Sequence, residues 1–353
     1  MKKMQRKYKI LAVLCLLVLI FLLSFLLIFK EYSDSWDKTK DDKLPIVYSD
    51  NYDITLMGVE KLHAFDSEKY SKVANYLIKN VGIEKSRFYS PNKVSNEDLS
   101  LVHTQNYLNS LSSSKVIARI AELGPLALLP NFILQERLLD SVRYSTAGTV
   151  LGARLANQYG WAINLSGGYH HAKRYGGAGF GYYADIPLAI TKLWESKPEL
   201  KVLIIDLDAH QGNGNEDFFK DDERVFIIDV YHEENYPRDE EAKKYIDFNW
   251  PVKAMDDQGY LAIIKKAIPE ALEQVKPDYV IYNAGTDIFY KDRLGKMSLT
   301  KEGIIDRDEI VFSYVLDDNI PILMVLSGGY SPESAEIIGE SIENLLSNVI
   351  NIK

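Results

Sequence analysis

The chain has a single cysteine, Cys15, and it lies inside an apolar run near the N-terminus. The rest of the sequence therefore carries no disulfide framework and no thiolate zinc site. An excess of basic residues is missing as well, since 41 Lys and Arg against 50 Asp and Glu leave a net charge of −9. That argues against a nucleic-acid-binding surface, which needs a basic face. It weakly favours cationic substrates. No internal repeat, charge block or second linker interrupts the chain after Pro45, so one large domain is expected from there to the end. Hydrophobic residues at 46% are ample for its core, which excludes disorder for the bulk of the chain.

What the N-terminus does have is length without charge. Ile10 to Phe29 is an uncharged apolar run of about 20 residues, which matches a bilayer-crossing helix. Lys2, Lys3, Arg6, Lys7 and Lys9 precede it, and the positive-inside rule keeps that end in the cytoplasm. No A-x-A cleavage pattern occurs before Lys30, and bulky Leu14 disfavours lipid attachment at Cys15. The expected organisation is a basic flank at 1–9, a transmembrane signal anchor at 10–29, a juxtamembrane linker at 30–44 and a catalytic domain at 45–353. A single-pass membrane protein with its catalytic domain on the non-cytoplasmic side follows from that reading.

Within the domain, Val202 to Ile205 reads as a fully buried strand of a mainly parallel sheet. Asp206, Asp208 and His210 follow at spacing two, so they point the same way beyond the strand's carboxyl end. Open α/β sheets bind ligands there. One Asp after a strand is commonly a helix cap, but clustered acids on one face are costly without a cation. Trp161 to Ser166 is a second strand, running into Gly167, Gly168, Tyr169, His170 and His171. Further strands are expected at 224–230, 278–284 and 321–326. The last two run into NAGTD, which ends on Asp287, and SGGY, which ends on Tyr330. Ser331 and Pro332 then carry the start signals of a C-terminal helix.

Several features read as structural or open. His63 and His103 are lone histidines, more often structural than ligands. Asn96 to Ser110 reads as one amphipathic helix with Asn96 as its N-cap, and 143–159 as another. Gly124 to Phe132 is an apolar loop that suits packed core or the lip of a greasy site equally well. The glycine-rich loop Arg174 to Gly181 has no strand immediately before it, which weakens a phosphate-binding reading. It presents Phe180 as an aromatic wall.

Four strand ends thus offer Asp208, His210 and Asp287 as metal ligands, His170 and His171 as acid and base, and Tyr330 as a hydrogen-bond donor. This is the equipment of a single-zinc amide hydrolase, in which three protein ligands leave the metal open to water and a substrate carbonyl. Two carboxylates and an imidazole also accept iron(II).

These motifs, in this order, resemble the histone deacetylase family from about Pro45 to the C-terminus. VYSDNYDITLMGVEKLHAFD, LPNF, GWAIN, YADI, IIDLDAHQGNG, YNAGTDI, DRLG and PILMVLSGGY are most similar to its class IV branch. The resemblance implies an arginase/deacetylase-type α/β fold, a central mainly parallel sheet flanked by helices, with a narrow acyl-lysine tunnel and one catalytic zinc. Asp208, His210 and Asp287 are similar to the zinc ligands, His170 and His171 to the paired catalytic histidines, and Tyr330 to the carbonyl-polarising tyrosine. Asp206 resembles the acid that orients the first histidine and helps hold a structural potassium. Gly168, Gly179, Phe180, Tyr236 and Gly328 resemble substrate-binding positions. Asn213 stands where class I enzymes place a second Asp. An amide orients His171 without raising its pKa as a carboxylate would, so His171 is expected neutral.

The class I rim Asp has no counterpart in the apolar 124–132 stretch. Because the class IV branch is associated with removing long fatty acyl groups, a long-chain acyl-lysine substrate is the sharper expectation. Alternatives are an acetylpolyamine or other small acylated amine, and a membrane-tethered acyl-lysine reader without turnover. An arginase-like two-metal site would need an acid at Gly212, where its D-x-H-x-D pattern fails.

Overall fold

The computed structural model describes residues 43–56 and 58–351. The expected anchor at 10–29, its basic flank and the linker up to residue 42 lie outside the described residues. Among the described residues no helix is long and apolar enough to cross a membrane.

The apolar runs become strands of one seven-stranded sheet, parallel throughout. In chain order these are β1 (Ile46–Val47), β2 (Trp161–Asn164), β3 (Val202–Asp206), β4 (Val225–His232), β5 (Phe248–Val252), β6 (Tyr279–Asn283) and β7 (Ile322–Val325). Their spatial order is β1-β2-β7-β6-β3-β4-β5. Both faces are covered, which is why the central strands are apolar at every position rather than at alternate ones. Leu203 and Ile205 of β3 pack with Tyr260, Ile264, Phe312 and Ile338 from the helices Asp257–Val275, Lys301–Asp317 and Ser334–Asn344. Val202 and Ile204 turn to the other face, against Ala153, Ala156, Ile186 and Ile190 of the helices Asp140–Tyr159 and Asp185–Trp194. A third apolar cluster stands outside the sheet, with Leu56, Leu99, Ile117, Leu126, Leu138 and Tyr182 among its members.

Five strands are expected from the sequence and seven are present among the described residues. The two extra ones are edges: β1 has two residues, and β5 contains Pro251 and alternates in exposure. A proline is tolerated on an edge because that side of the strand has no neighbour to bond.

The Asn96–Ser110 stretch is two helices, not one. Ser95 caps Asn96–Val102 by accepting from the Asp98 N–H at 3.0 Å, and Thr104 caps Gln105–Ser110 through Tyr107 N–H at 3.3 Å. The break follows from tertiary bonds that pull the chain out of helical geometry. Thr104 N–H donates to Arg174 O, and His103 turns inward to Ala184. The 124–132 stretch is a tight helical turn, Gly124–Leu128, followed by a helix from Asn131. The C-terminal helix begins at Ser334, because Ser331 and Pro332 first form a turn in which Ser331 Oγ accepts from Glu333 N–H.

Candidate active site

The chain jumps from β2 over two strand positions to β3, and β6 and β7 later fill the gap. As a result the helix after β3, Asn213–Phe219, lies on one face and the helix after β6 on the other. The carboxyl ends between them diverge into a crevice, the usual ligand position in such sheets.

Three buried groups meet in that crevice. The ligand atoms of Asp208, His210 and Asp287 lie within 4.8 Å of one another. Asp208 commits Oδ2 to Ser327 Oγ and Gly328 N–H, both at 2.8 Å. Asp287 commits Oδ1 to Ala209 N–H at 2.9 Å. The second oxygen of each carboxylate faces His210 Nδ1, at 3.0 and 2.9 Å, and that of Asp208 also accepts from His210 N–H at 2.9 Å. Burial opposes charge on His210, but the two carboxylates outweigh it and raise its pKa to about 10. Burial and the Asp208 charge push Asp287 up to about 7. Two carboxylates and an imidazole nitrogen aimed at one point fit a single dication such as zinc. A side chain at Gly212 would collide with the Asp206 carboxylate, so the chain leaves no room there for the acid of a two-metal site.

The histidine pair lies alongside. His170 Nδ1 is 2.9 Å from Asp206 Oδ2, and His171 Nδ1 is 3.0 Å from Asn213 Oδ1. Their rings are 4.1 Å apart, yet their environments drive them in opposite directions. Burial works against charge on His170, but Asp206 and Asp208 prevail and raise its pKa to about 9. Burial, joined by the charges of His170 and His210, holds His171 well below the usual range. Environments that separate two neighbouring pKa values are what acid and base roles require. The Tyr330 ring lies 6.2 Å from the His210 ring, and burial with the charges of Asp208 and Asp287 keeps its hydroxyl protonated.

The predicted substrate positions are brought together except one. Gly168, Gly179, Phe180 and Gly328 line the pocket. A side chain at Gly328 would strike both Asp208 and Asp287, and one at Gly179 would strike the His171 ring. Tyr236 does not line it; half-exposed, it stands edge-on to His171 at 5.0 Å. Phe180 instead meets His63 at 4.3 Å and Tyr330 at 5.8 Å. His63 makes structural bonds, with Nε2 to Ala121 O at 2.8 Å and Nδ1 accepting from Phe65 N–H at 2.9 Å, while its ring lines the wall. The whole pocket is a cavity of about 100 Å³, and Ile54, Leu56, Leu123, Leu126, Leu138 and Val142 line its apolar part, the chamber.

Four supporting residues are not singled out by the sequence pattern. Asp185 accepts from Gly168 and Tyr169 N–H at 2.8 and 2.9 Å, which shapes the turn before the histidines. Asp292 accepts from Tyr330 and Ser331 N–H at 2.7 and 3.1 Å. Buried Lys69 donates to Ser327 O at 2.8 Å, and burial lowers its pKa to about 8 against the pull of nearby carboxylates. Buried Arg307 donates to Gly285 O and Leu207 O, tying the ends of β6 and β3 together. Asp185 and Asp292 lie inside the YADI and DRLG motifs, so a signal exists for them; Lys69 and Arg307 carry none. Behind Asp206, the buried Asp229 and Glu216 each keep one carboxylate oxygen without a hydrogen-bond partner among the described residues. Such a pair needs a shared proton or a cation.

The family described as "Histone deacetylase domain" matches residues 63–346. Histone deacetylase 2 of Arabidopsis thaliana is 45% identical over 304 residues, covering 86% of this chain and 79% of that protein. Histone deacetylase 1 of Homo sapiens is 31% identical over 278 residues, covering 74% of this chain and 56% of that protein. Among solved structures, the HDA15 HD domain matches with a TM-score of 0.70 at 20% identity, over 88% of this chain and 90% of that one. That last likeness is one of fold.

Proposed function

The chain belongs to the histone deacetylase family, and on that premise we propose that it hydrolyses the amide bond of an acylated lysine with a single zinc ion held by Asp208, His210 and Asp287. The observation that carries this is the convergence of those three groups on one point beside His170, His171 and Tyr330. Zinc there would polarise the carbonyl and make water a nucleophile near neutral pH.

The chain's own groups do the rest. His171, neutral and oriented by Asn213, takes the proton of the attacking water. His170, held by Asp206 and carrying a proton, stabilises the charge that grows beside it. Tyr330 donates its O–H to the carbonyl oxygen as negative charge builds there. Collapse breaks the C–N bond, the amine leaves with the proton taken from water, and the acid and free lysine are the products. Within the family, the Asn213 amide beside His171 and the apolar chamber support the class IV reading and a long acyl chain over acetyl.

The test uses the full-length chain with acetyl-lysine and myristoyl-lysine peptides, following release of the free amine. Turnover that is lost on chelation and restored by zinc is expected. Peptide binding by the zinc-loaded protein without amine release would leave a non-hydrolytic reader in its place.

A further inference from the structure

Asn213 has a second neighbour, and it decides which way the amide points. Asn213 Nδ2 lies 3.0 Å from Asp239 Oδ2, while Oδ1 lies 3.0 Å from His171 Nδ1. The two ends of an amide are assigned from their hydrogen-bond partners, and here the partners leave one solution. An ionised carboxylate can only accept. Asp239 is held ionised by Lys173 Nζ at 2.8 Å on the same oxygen and by Ala242 N–H at 3.1 Å on the other. Burial works against that charge, yet the bonds from Lys173 and Asn213 prevail and bring the carboxyl to about 2.

The Asn213 NH2 must therefore face Asp239, and its carbonyl oxygen must face His171. An oxygen acceptor requires the proton on His171 Nδ1, which leaves the lone pair on Nε2. Reversing the amide would make Nδ1 the acceptor and put the proton on Nε2, where it would abolish the base. The carboxylate is itself fixed to the site's own loop. Asp239 N–H donates to Gln211 Oε1 at 2.9 Å, and Gln211 Nε2 donates back to Asp239 O at 3.0 Å.

We infer that Asp239 is a positioning residue that acts through Asn213 to hold His171 in the tautomer with a basic Nε2. The inference rests on the reading of His171 as the base. The amide passes on the orientation, while the negative charge stays one residue further out beside Lys173. Nothing in the spacing of the sequence signals this, because Asp239 lies 26 residues beyond Asn213 in a loop of mixed charge.

A double-mutant cycle isolates the effect. Asp239→Ala should lower kcat by roughly 10- to 100-fold with KM nearly unchanged, since a wrong tautomer removes the base but not the binding site. In an Asn213→Ala background the same substitution should cost less than about twofold, because the relay is already cut. The exchange Asn213→Asp with Asp239→Asn puts an acceptor on His171 and a donor behind it, and should recover most of the lost kcat. Ring 15N shifts of His171 read the tautomer without any turnover, so they distinguish failure of this inference from failure of the hydrolase reading. Wild-type protein should show a protonated Nδ1, and Asp239→Ala a mixture. Equal losses in both backgrounds, or an unchanged tautomer in Asp239→Ala, would overturn the inference. If Asp239→Ala does not fold because the Ala242 cap is lost, the exchange variant decides: loss of its Nδ1 proton or of its activity sinks the idea.

Discussion

The floor and the wall of the pocket are built on different physics. The floor is polar, buried and tied down from several sides. Asp208 is bonded to Ser327, Gly328 and His210; Asp287 to Ala209 and His210; Tyr330 is pinned through its backbone by Asp292. Beneath it, β3, β6 and β7 are buried at every position. The wall is mainly apolar although His63 and Glu60 also line it, rests on the separate cluster outside the sheet, and carries no charge from Leu123 to Leu134. It also leaves large side chains in solvent, with Leu128 at 88% and Phe132 at 65% exposure. A floor held by directional bonds fixes the chemistry, whereas a wall held by non-directional packing can set the shape of what enters. If that division holds, substitutions in the floor should change the rate for every substrate, and those in the wall should change which substrates are processed.

The largest effect belongs to the floor. Tyr330→Phe removes one O–H and leaves the ring, its backbone bonds to Asp292 and its contact with Phe180 intact. Loss of an oxyanion donor costs roughly 2 to 3 orders of magnitude in turnover. The expected result is that loss for short and long acyl peptides alike, with an unchanged melting temperature. Near-normal turnover would remove Tyr330 from the mechanism. A loss confined to one chain length would break the division between floor and wall.

The wall should answer differently. Val142→Trp fills part of the chamber, which Val142 lines together with Leu56, Leu126 and Leu138. Overpacking a site of this kind typically costs about 1 to 3 kcal/mol. If the acyl chain occupies the chamber, that cost appears as a loss of about tenfold or more in kcat/KM for myristoyl-lysine. Acetyl-lysine should stay within about threefold, a difference small enough to reflect indirect shifts alone. Parallel losses on both substrates would mean that the chamber is ordinary core and not a binding site.

The same division explains what is legible in the sequence. Floor residues follow apolar runs at fixed spacing, so spacing alone places Asp206, Asp208 and His210 at one strand end. Their partners come from elsewhere in the chain: Lys69 is 258 residues from Ser327, and Asp239 is 66 residues from Lys173. Local periodicity carries no trace of such pairs. The chamber draws on segments near residues 54, 123 and 138, none with strand-end spacing of the kind that marks the floor. The apolar 124–132 stretch reads as a choice between core and lip, and it supplies both: Leu126 is buried against the chamber while Leu128 stands in solvent. Edge strands β1 and β5 escape because two residues, or a proline, suppress the strand signal.

The smallest expected effect lies where the two regions join. His103 packs against Tyr107 and Tyr183 in the outer apolar region, and its Nε2 accepts from Ala184 N–H at 2.9 Å. The next residue, Asp185, shapes the turn that leads to His170. Burial lowers the His103 pKa to about 4, against an unfolded value of about 6.5. The unfolded chain therefore binds a proton that the folded chain refuses between those two values, and stability falls as the pH drops through this window. Above about pH 6.5 the contribution vanishes. At pH 5 it amounts to about 2 kcal/mol. His103→Gln keeps an acceptor for Ala184 but cannot titrate, so relative to wild type it should gain about that much between pH 7.5 and pH 5, measured by urea unfolding. A mutant-minus-wild-type difference that stays constant with pH would show that His103 is not buried in its neutral form, and that the join between wall and floor is looser than the geometry indicates.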